Sequence, residues 1–327
     1  MHKIKVVTMG GGTGTFPVVT ALKKLDFDIS AIVSVSDSGG STGRIRDEFG
    51  FQPVGDLRQS LAALADLDSQ EWIQKLLLYR FSKGNGLQGH NLGNLILTAL
   101  QDMTGNTTQS LEIAEQIFNL DGSVIPVTAS NVNLKIHYSD GTTAIGEHIL
   151  DDESPEPKKI KKVSLVPNCV INPPAKEALL HADYIIIGPG DLYASLLATL
   201  AVDDGKEIFS QITGKIIYVL NLMTRLTQTH EMSAQQHVQK IEAALGKEVD
   251  YIVVNDQEIP QAVLETYAQS NEFPVVDDLK NDTRAVRAKL LYDQLIQKKE
   301  HDTSHRSLLR HDYSKLKNTF QEIMKKE

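Results

Sequence analysis

The stretch Met9-Gly10-Gly11-Gly12-Thr13-Gly14-Thr15 decides how this chain reads. Just before it, Lys3-Ile4-Lys5-Val6-Val7-Thr8 is a short apolar run suited to a buried strand. Just after it, Phe16 to Leu25 carries apolar residues at helical spacing, with Pro17 where a first helical turn tolerates it. The opening is therefore strand, glycine turn, helix. Glycines let the backbone turn tightly and approach a ligand closely. The free N–H groups at the helix start, helped by the helix dipole, then face an anion. Gly11, Gly12, Thr13 and Gly14 are the candidate phosphate contacts, and a tight turn with no ligand is the alternative. The spacing is neither G-x-G-x-x-G, because Thr15 takes the last glycine's place, nor a P-loop.

Working outward, Asp28 to Val35 reads as a second strand ending in Ser36-Asp37-Ser38-Gly39-Gly40-Ser41-Thr42-Gly43. Two strand–glycine junctions in a row are the pattern of a doubly wound parallel sheet with its ligand loops at one edge. Asp37 lies about 23 residues beyond Gly14, where an acid can meet a ribose or a metal, or simply cap the next helix. In Pro53-Val54-Gly55-Asp56-Leu57-Arg58, Asp56 is a candidate N-cap and Arg58 a candidate phosphate ligand. Glu71 to Phe81 reads as an amphipathic helix. The polar run Lys83 to Asn94 leads into the apolar helix Leu95 to Leu100, with His90, Asn91 and Asn94 at its start. On a helix His90 and Asn94 share a face. They are placed to hold a base, sugar or substrate, or else to cap the helix.

From Gly122 to Leu150 the pattern turns to strands (Val124–Thr128, Val132–Tyr138 and Thr142–Leu150) with an Asp-Gly turn at Asp140-Gly141. This predicts a small antiparallel extension over about 122–150. The charged, Pro-containing segment Asp151 to Lys162 is the best boundary. The α/β rhythm then resumes with a strand at Val163–Val166, a helix at Pro174–His181 and a strand at Asp183–Ile187. A third junction follows, Gly188-Pro189-Gly190-Asp191-Leu192-Tyr193-Ala194-Ser195, where Asp191 is placed to cap and the N–H groups of Gly190 to Leu192 to hold an anion. Further strands are predicted at Lys215–Leu220 and Tyr251–Asn255, and helices at Ser233–Leu245, Pro260–Gln269 and Ala285–Lys298. The first of these strands ends in the polar loop Asn221 to His230, and Leu308-Leu309-Arg310-His311-Asp312 precedes a terminal amphipathic helix.

The chain has 327 residues, 41% of them hydrophobic, which permits one large α/β domain. A net charge of −9, with no basic stripe before the C-terminus, argues against duplex nucleic acid as the main partner. No apolar run is long enough to span a bilayer, so no membrane insertion is expected, and a cytoplasmic location is. The single Cys169 reads as an inert small hydrophobe.

The ordered set G-G-G-T-G, S-D-S-G-G-S-T-G-R-I-R, P-V-G-D-L-R, G-H-N-L-G-N-L-I-L-T-A-L, G-P-G-D-L-Y-A-S, N-L-M-T and L-R-H-D resembles the YvcK-type gluconeogenesis factors. These share the CofD-like superfamily with 2-phospho-L-lactate transferase. The resemblance covers about Lys5 to Lys315. It implies a Rossmann-like α/β fold, with residues 1–300 as a single nucleotide-binding domain and 301–327 as a C-terminal segment whose helix packs on it. It also implies a nucleotide ligand, a UDP-activated sugar in the YvcK-type branch, and a regulatory role supporting cell shape and envelope synthesis on gluconeogenic carbon sources. The transferase branch instead moves a phospholactyl group from a guanosine diphosphate carrier using magnesium. Carried onto this chain, the nucleotide-binding positions are Gly11, Gly12, Thr13, Gly14, Asp37, His90, Asn91, Asn94, Gly188, Gly190, Asp191, Tyr193, Asn221, Thr224 and Arg310. Asp37 matches a magnesium ligand. Three departures stand out: Ser38 where a second acid is frequent, Thr227-Gln228 where a glycine and a glutamate are usual, and Asp191 where serine is commoner. The expected partner is a UDP-sugar or another nucleotide diphosphate, and the sequence leaves a homo-oligomer open. An NAD-dependent dehydrogenase is disfavoured by the missing glycine.

Overall fold

The computed structural model describes residues 3–38, 48–65, 70–151, 158–292 and 308–325. Its strands are β1 (Lys5–Gly10), β2 (Asp28–Val33), β3 (Ser123–Pro126), β4 (Asn133–Tyr138), β5 (Thr143–Ile145), β6 (Ile160–Val166), β7 (Tyr184–Ile187), β8 (Lys215–Val219), β9 (Tyr251–Asn255) and β10 (Ala285–Ala288). Seven of them form one parallel sheet in the order β10-β9-β8-β7-β1-β2-β3. Runs such as Tyr184-Ile185-Ile186-Ile187 are buried throughout, as expected of a parallel sheet covered on both faces. The chain lays β2 and β3 on one side of β1 and later β7 to β10 on the other. Strand order therefore reverses between β1 and β7, the place where doubly wound sheets open a ligand crevice beyond their carboxyl ends.

The helix Gly12–Lys23 continues directly from β1 and packs against the helices Gly55–Leu64 and Tyr313–Lys325. In the last of these, Leu316, Phe320 and Ile323 are fully buried at helical spacing. Ser233 caps the helix Ala234–Leu245 through a capping box with Gln236, as its sequence predicts.

Several expectations are corrected. The antiparallel sheet is β5-β4-β6, so the extension runs from Asn133 to Val166 rather than over 122–150. Ser123–Pro126 instead joins the main sheet parallel to β2, and Val163–Val166 leaves the main rhythm to pair with β4. Past Ile145 the chain turns into a 3-10 helix, Glu147–Asp151. The helix expected over Ala285–Lys298 is a strand at Ala285–Ala288, because β9 offers it a free edge. The helix Glu71–Leu78 stops short of Phe81, since Tyr79 and Phe81 pair with the backbone near His90 and Leu92. The glycine turn Gly39–Gly43, part of the boundary segment and the end of the Ala285–Lys298 reading lie outside the described residues.

Candidate functional site

The glycine loop is held by its own chain. A Cβ on Gly12 would overlap the backbone carbonyl of Asp56, and one on Gly14 would overlap the carbonyl of Pro189. These two glycines therefore seat the loop between the Gly55–Leu64 helix and the β7 junction, which joins the two sides of the switch point. Thr15 donates its hydroxyl to the Gly11 carbonyl at 2.6 Å, while Thr13 is exposed at the helix start.

Asp56 is not an N-cap. It sits in the first turn of Gly55–Leu64, with its carboxyl against the glycine loop. Burial and then the nearby Asp37 carboxylate push its pKa up to about 7, opposed by backbone hydrogen bonds from Gly12 and Thr13 and by Arg58. Amides expected to face an anion thus already face a carboxylate. Arg58 itself is buried and donates to the Leu77 carbonyl at 3.1 Å, a bond that ties its helix to the helix Glu71–Leu78.

Asp37 ends the strand path after β2 and belongs to a wider acidic group. Glu147, just past β5, has its pKa pushed far above the usual carboxylate range by burial, then by Asp37, Asp151, Asp191 and Asp56. The structure therefore gathers at Asp37 the second acid that Ser38 lacks in sequence. Ser38 instead hydrogen-bonds the His148 ring at 3.0 Å and so ties its loop to the Glu147–Asp151 turn. Arg225 faces this group. It contacts Asp191 at 3.0 Å, Asp151 at 3.6 Å and Glu272 at 3.7 Å, and Asp191 is the main cause holding its pKa above normal.

Asp191 consequently does not cap the following helix. It accepts from Arg225, and the chain enters a π-helical turn at Leu192–Leu196 instead. The amides of Tyr193 and Ala194 are taken by the Gln228 side-chain oxygen at 3.3 and 3.2 Å. Tyr193 is buried, with its hydroxyl 3.5 Å from the Ile160 carbonyl. Gly188 and Gly190 line the junction, and Asn221 donates to the Gly190 carbonyl at 2.7 Å, linking the ends of β7 and β8. Thr224 is buried and accepts from the Phe273 amide. Thr227 donates to the Leu150 carbonyl, so both departures at 227 and 228 have internal partners.

His90 lies outside the helix, whose first residue is Leu92. Asn91 is the N-cap, accepting from the Asn94 amide at 3.2 Å. His90 and Asn94 thus do not share a helical face. Gly93 packs on the Arg58 side chain, which brings this helix start beside the Gly55–Leu64 helix. The Nδ1 of His90 and the Oδ1 atoms of Asn94 and Asn221 are buried with no hydrogen-bond partner among the described residues. Arg310 sits in a segment paired with Leu290–Tyr292, and the adjacent His311 ring bonds the Leu220 backbone next to Asn221.

Sequence reading missed Glu147, Arg225 and the roles of Asp56 and Gln228. Arg225 lay in a polar loop already singled out after β8. Glu147 carries no local motif.

These features define a doubly wound α/β protein whose glycine junctions after β1 and β7 meet at one sheet edge. The family profile described as 2-phospho-L-lactate transferase CofD matches residues 6–296, and the chain belongs to that family. It is 34% identical to the gluconeogenesis factor of Bacillus subtilis, with 99% of each chain covered. It is 35% identical to that of Halalkalibacterium halodurans, over 97% of this chain and 95% of the relative. A Nostoc relative is 39% identical over 88% of this chain, which spans 64% of that longer protein. A crystal structure of a UPF0052 family member from Bacillus halodurans superposes with a TM-score of 0.87 at 33% identity, covering 98% of this chain and 99% of that one.

Proposed function

We propose that this protein is a gluconeogenesis factor that binds a nucleotide diphosphate sugar, a UDP-sugar, in the crevice between β1 and β7, and that it acts as a regulator of cell shape and envelope synthesis on gluconeogenic carbon sources. The observation that carries the binding reading is the set of buried polar atoms on His90, Asn94 and Asn221 that have no partner among the described residues, with Asn221 bonded to the Gly190 carbonyl at the junction after β7. Buried polar groups without partners are costly, and a base, sugar or diphosphate would satisfy them. The names of the relatives support the gluconeogenic role.

A second reading, a magnesium-dependent transferase of the 2-phospho-L-lactate type, is favoured by the acidic group. Asp37 raises the proton affinity of both Asp56 and Glu147, and Asp56 raises that of Glu147, so these acids crowd one another in a way that a cation would relieve. Hard carboxylate oxygens suit Mg²⁺, which is commonly held by one or two carboxylates together with substrate phosphates. Among the described residues no three such side chains form a ready cage, so the remaining ligands would be diphosphate oxygens and water. Asp37 and Asp56 would hold the ion, which would neutralise charge on the phosphates. Arg225 would keep Asp191 and Asp151 turned away from it.

The test is calorimetric titration with UDP-N-acetylglucosamine and GDP, each with and without magnesium, on wild type and Arg310→Glu. UDP-sugar binding that Arg310→Glu weakens supports the first reading. Magnesium-dependent GDP binding lost in Asp37→Asn supports the second. No binding of either ligand defeats both.

A further inference from the structure

The antiparallel sheet β5-β4-β6 carries a charge pattern that the crevice does not use. Along β4, Leu134 and Ile136 are fully buried, so Lys135 and His137 point to the opposite, outer face. On β6 the partner of His137 is Lys162, and Lys135 pairs with Ser164. The register shifts after His137, where Tyr138 pairs with Ile160. This bulge leaves Lys161 without a cross-strand partner and places it beside Lys162. The three lysines crowd one histidine, whose proton affinity is lowered first by burial and then by Lys162, Lys135 and Lys161.

Like charges directly opposite or diagonal across strands are destabilising, so a sheet serving only as structure gains nothing from this grouping. Among the described residues no lysine of these strands has an ion pair, and the one pair beside them joins Lys158, before β6, to Asp140 in the β4–β5 turn at 2.9 Å. Lys135, Lys159, Lys161 and Lys162 have none. This local excess stands on a chain of net charge −9, so the rest of the molecule is repelled by an anionic surface while this face is attracted.

We propose that the outer face of the β5-β4-β6 sheet docks electrostatically on an anionic lipid bilayer, without insertion. Lysines are compact hydrated point charges that suit a diffuse anionic surface, whereas recognition of a single phosphate favours the arginine fork. Acidic lipid headgroups attract basic side chains near the surface, each lysine adding to the affinity. Ile145, 53% exposed and paired with Lys135 on the edge strand, adds an apolar side chain at the same face. The outward positions of β4 and β6 carry no Phe, Tyr or Trp on which bases of a single-stranded nucleic acid would stack.

The experiment is co-sedimentation of the full chain with vesicles of phosphatidylglycerol and phosphatidylcholine, against vesicles of phosphatidylcholine alone, at low and high salt. The wild type should partition onto the anionic vesicles only, and salt should release it. The triple variant Lys135→Glu, Lys161→Glu, Lys162→Glu should partition at least about tenfold less. A control variant with Lys206→Glu, Lys280→Glu and Lys289→Glu makes the same charge change elsewhere and should lose much less. Circular dichroism and UDP-sugar titration report whether each variant is folded. Absence of wild-type binding, equal loss in both variants, or preferential retention of a single-stranded oligonucleotide overturns the proposal.

Discussion

At Gly12 the absent side chain is required by packing before any ligand is considered. The Asp56 carbonyl that a Cβ would strike belongs to a helix and cannot swing aside. Gly12→Ala is therefore expected to cost at least about 1–3 kcal/mol in urea unfolding, as overpacking does. Thr13→Ala, at the exposed neighbouring position, should stay within about 0.5 kcal/mol of wild type while weakening nucleotide binding. A different kind of cost attends Arg225. In Arg225→Met the carboxylates of Asp191, Asp151 and Glu272 face each other without their cation. Because the arginine side chain remains a quarter exposed, the loss should be about 1–3 kcal/mol at neutral pH, less than for a fully buried pair. It should shrink as the pH falls and the carboxylates protonate, which urea midpoints at several pH values would show. The glycine loop, Asp37 and the polar loop at Asn221 were legible in the sequence because each is a local motif at the end of a strand. The electrostatic influence of Asp37 on Asp56 and Glu147 was not, since it joins three segments far apart in the chain and exists only once the sheet has formed.

Elements were legible where periodicity was sustained and ambiguous where pairing decides. β1, β2, β7, β8 and β9 stand out as apolar runs between turn signals. The four residues Ser123–Pro126 look alike whether they pair parallel or antiparallel, and only the open edge of β2 settles it. Ala285–Ala288 begins a run with helical spacing, yet Ile252 and its neighbours on β9 recruit it as a strand. One element contact has a pH signature. Glu115, near the end of the helix Thr107–Ile117, accepts the Val124 amide at 2.6 Å and so fastens that helix to β3. Burial pushes its pKa up from 4.5 to about 7. Between those values the folded protein binds more protons than the unfolded one, so stability falls as the pH rises through this window. Glu115→Gln keeps an acceptor and removes the charge. Its stability should match wild type below the unfolded value and exceed it above the folded one. The difference in urea midpoint between the two proteins, followed across the pH range, isolates this residue from other titrating groups.

At the scale of the molecule, the last described segment closes the architecture. Residues 310–312 pair with Leu290–Tyr292, Leu309 donates its amide to the Tyr267 hydroxyl, and Leu316, Phe320 and Ile323 bury themselves against the sheet's helical layer. The terminal helix lies on Gly12–Lys23, whose first turn is the glycine loop. Phe320 is fully buried, so Phe320→Ala should remove about 3–5 kcal/mol of stability through the cavity it leaves. Whether that damage reaches the crevice depends on what positions the loop. Gly12 and Gly14 are pinned by Asp56 and Pro189, which belong to the helix after β2 and the junction after β7. Loss of packing at the far side of the first helix should leave those contacts intact. A ligand that binds only the folded state adds a stabilisation set by its concentration and affinity. Saturating UDP-sugar should therefore add the same unfolding free energy to Phe320→Ala as to wild type, although the variant starts lower. A smaller increment in the variant would mean that the terminal helix shapes the loop, and that the C-terminal segment belongs to the binding unit rather than bracing it from behind.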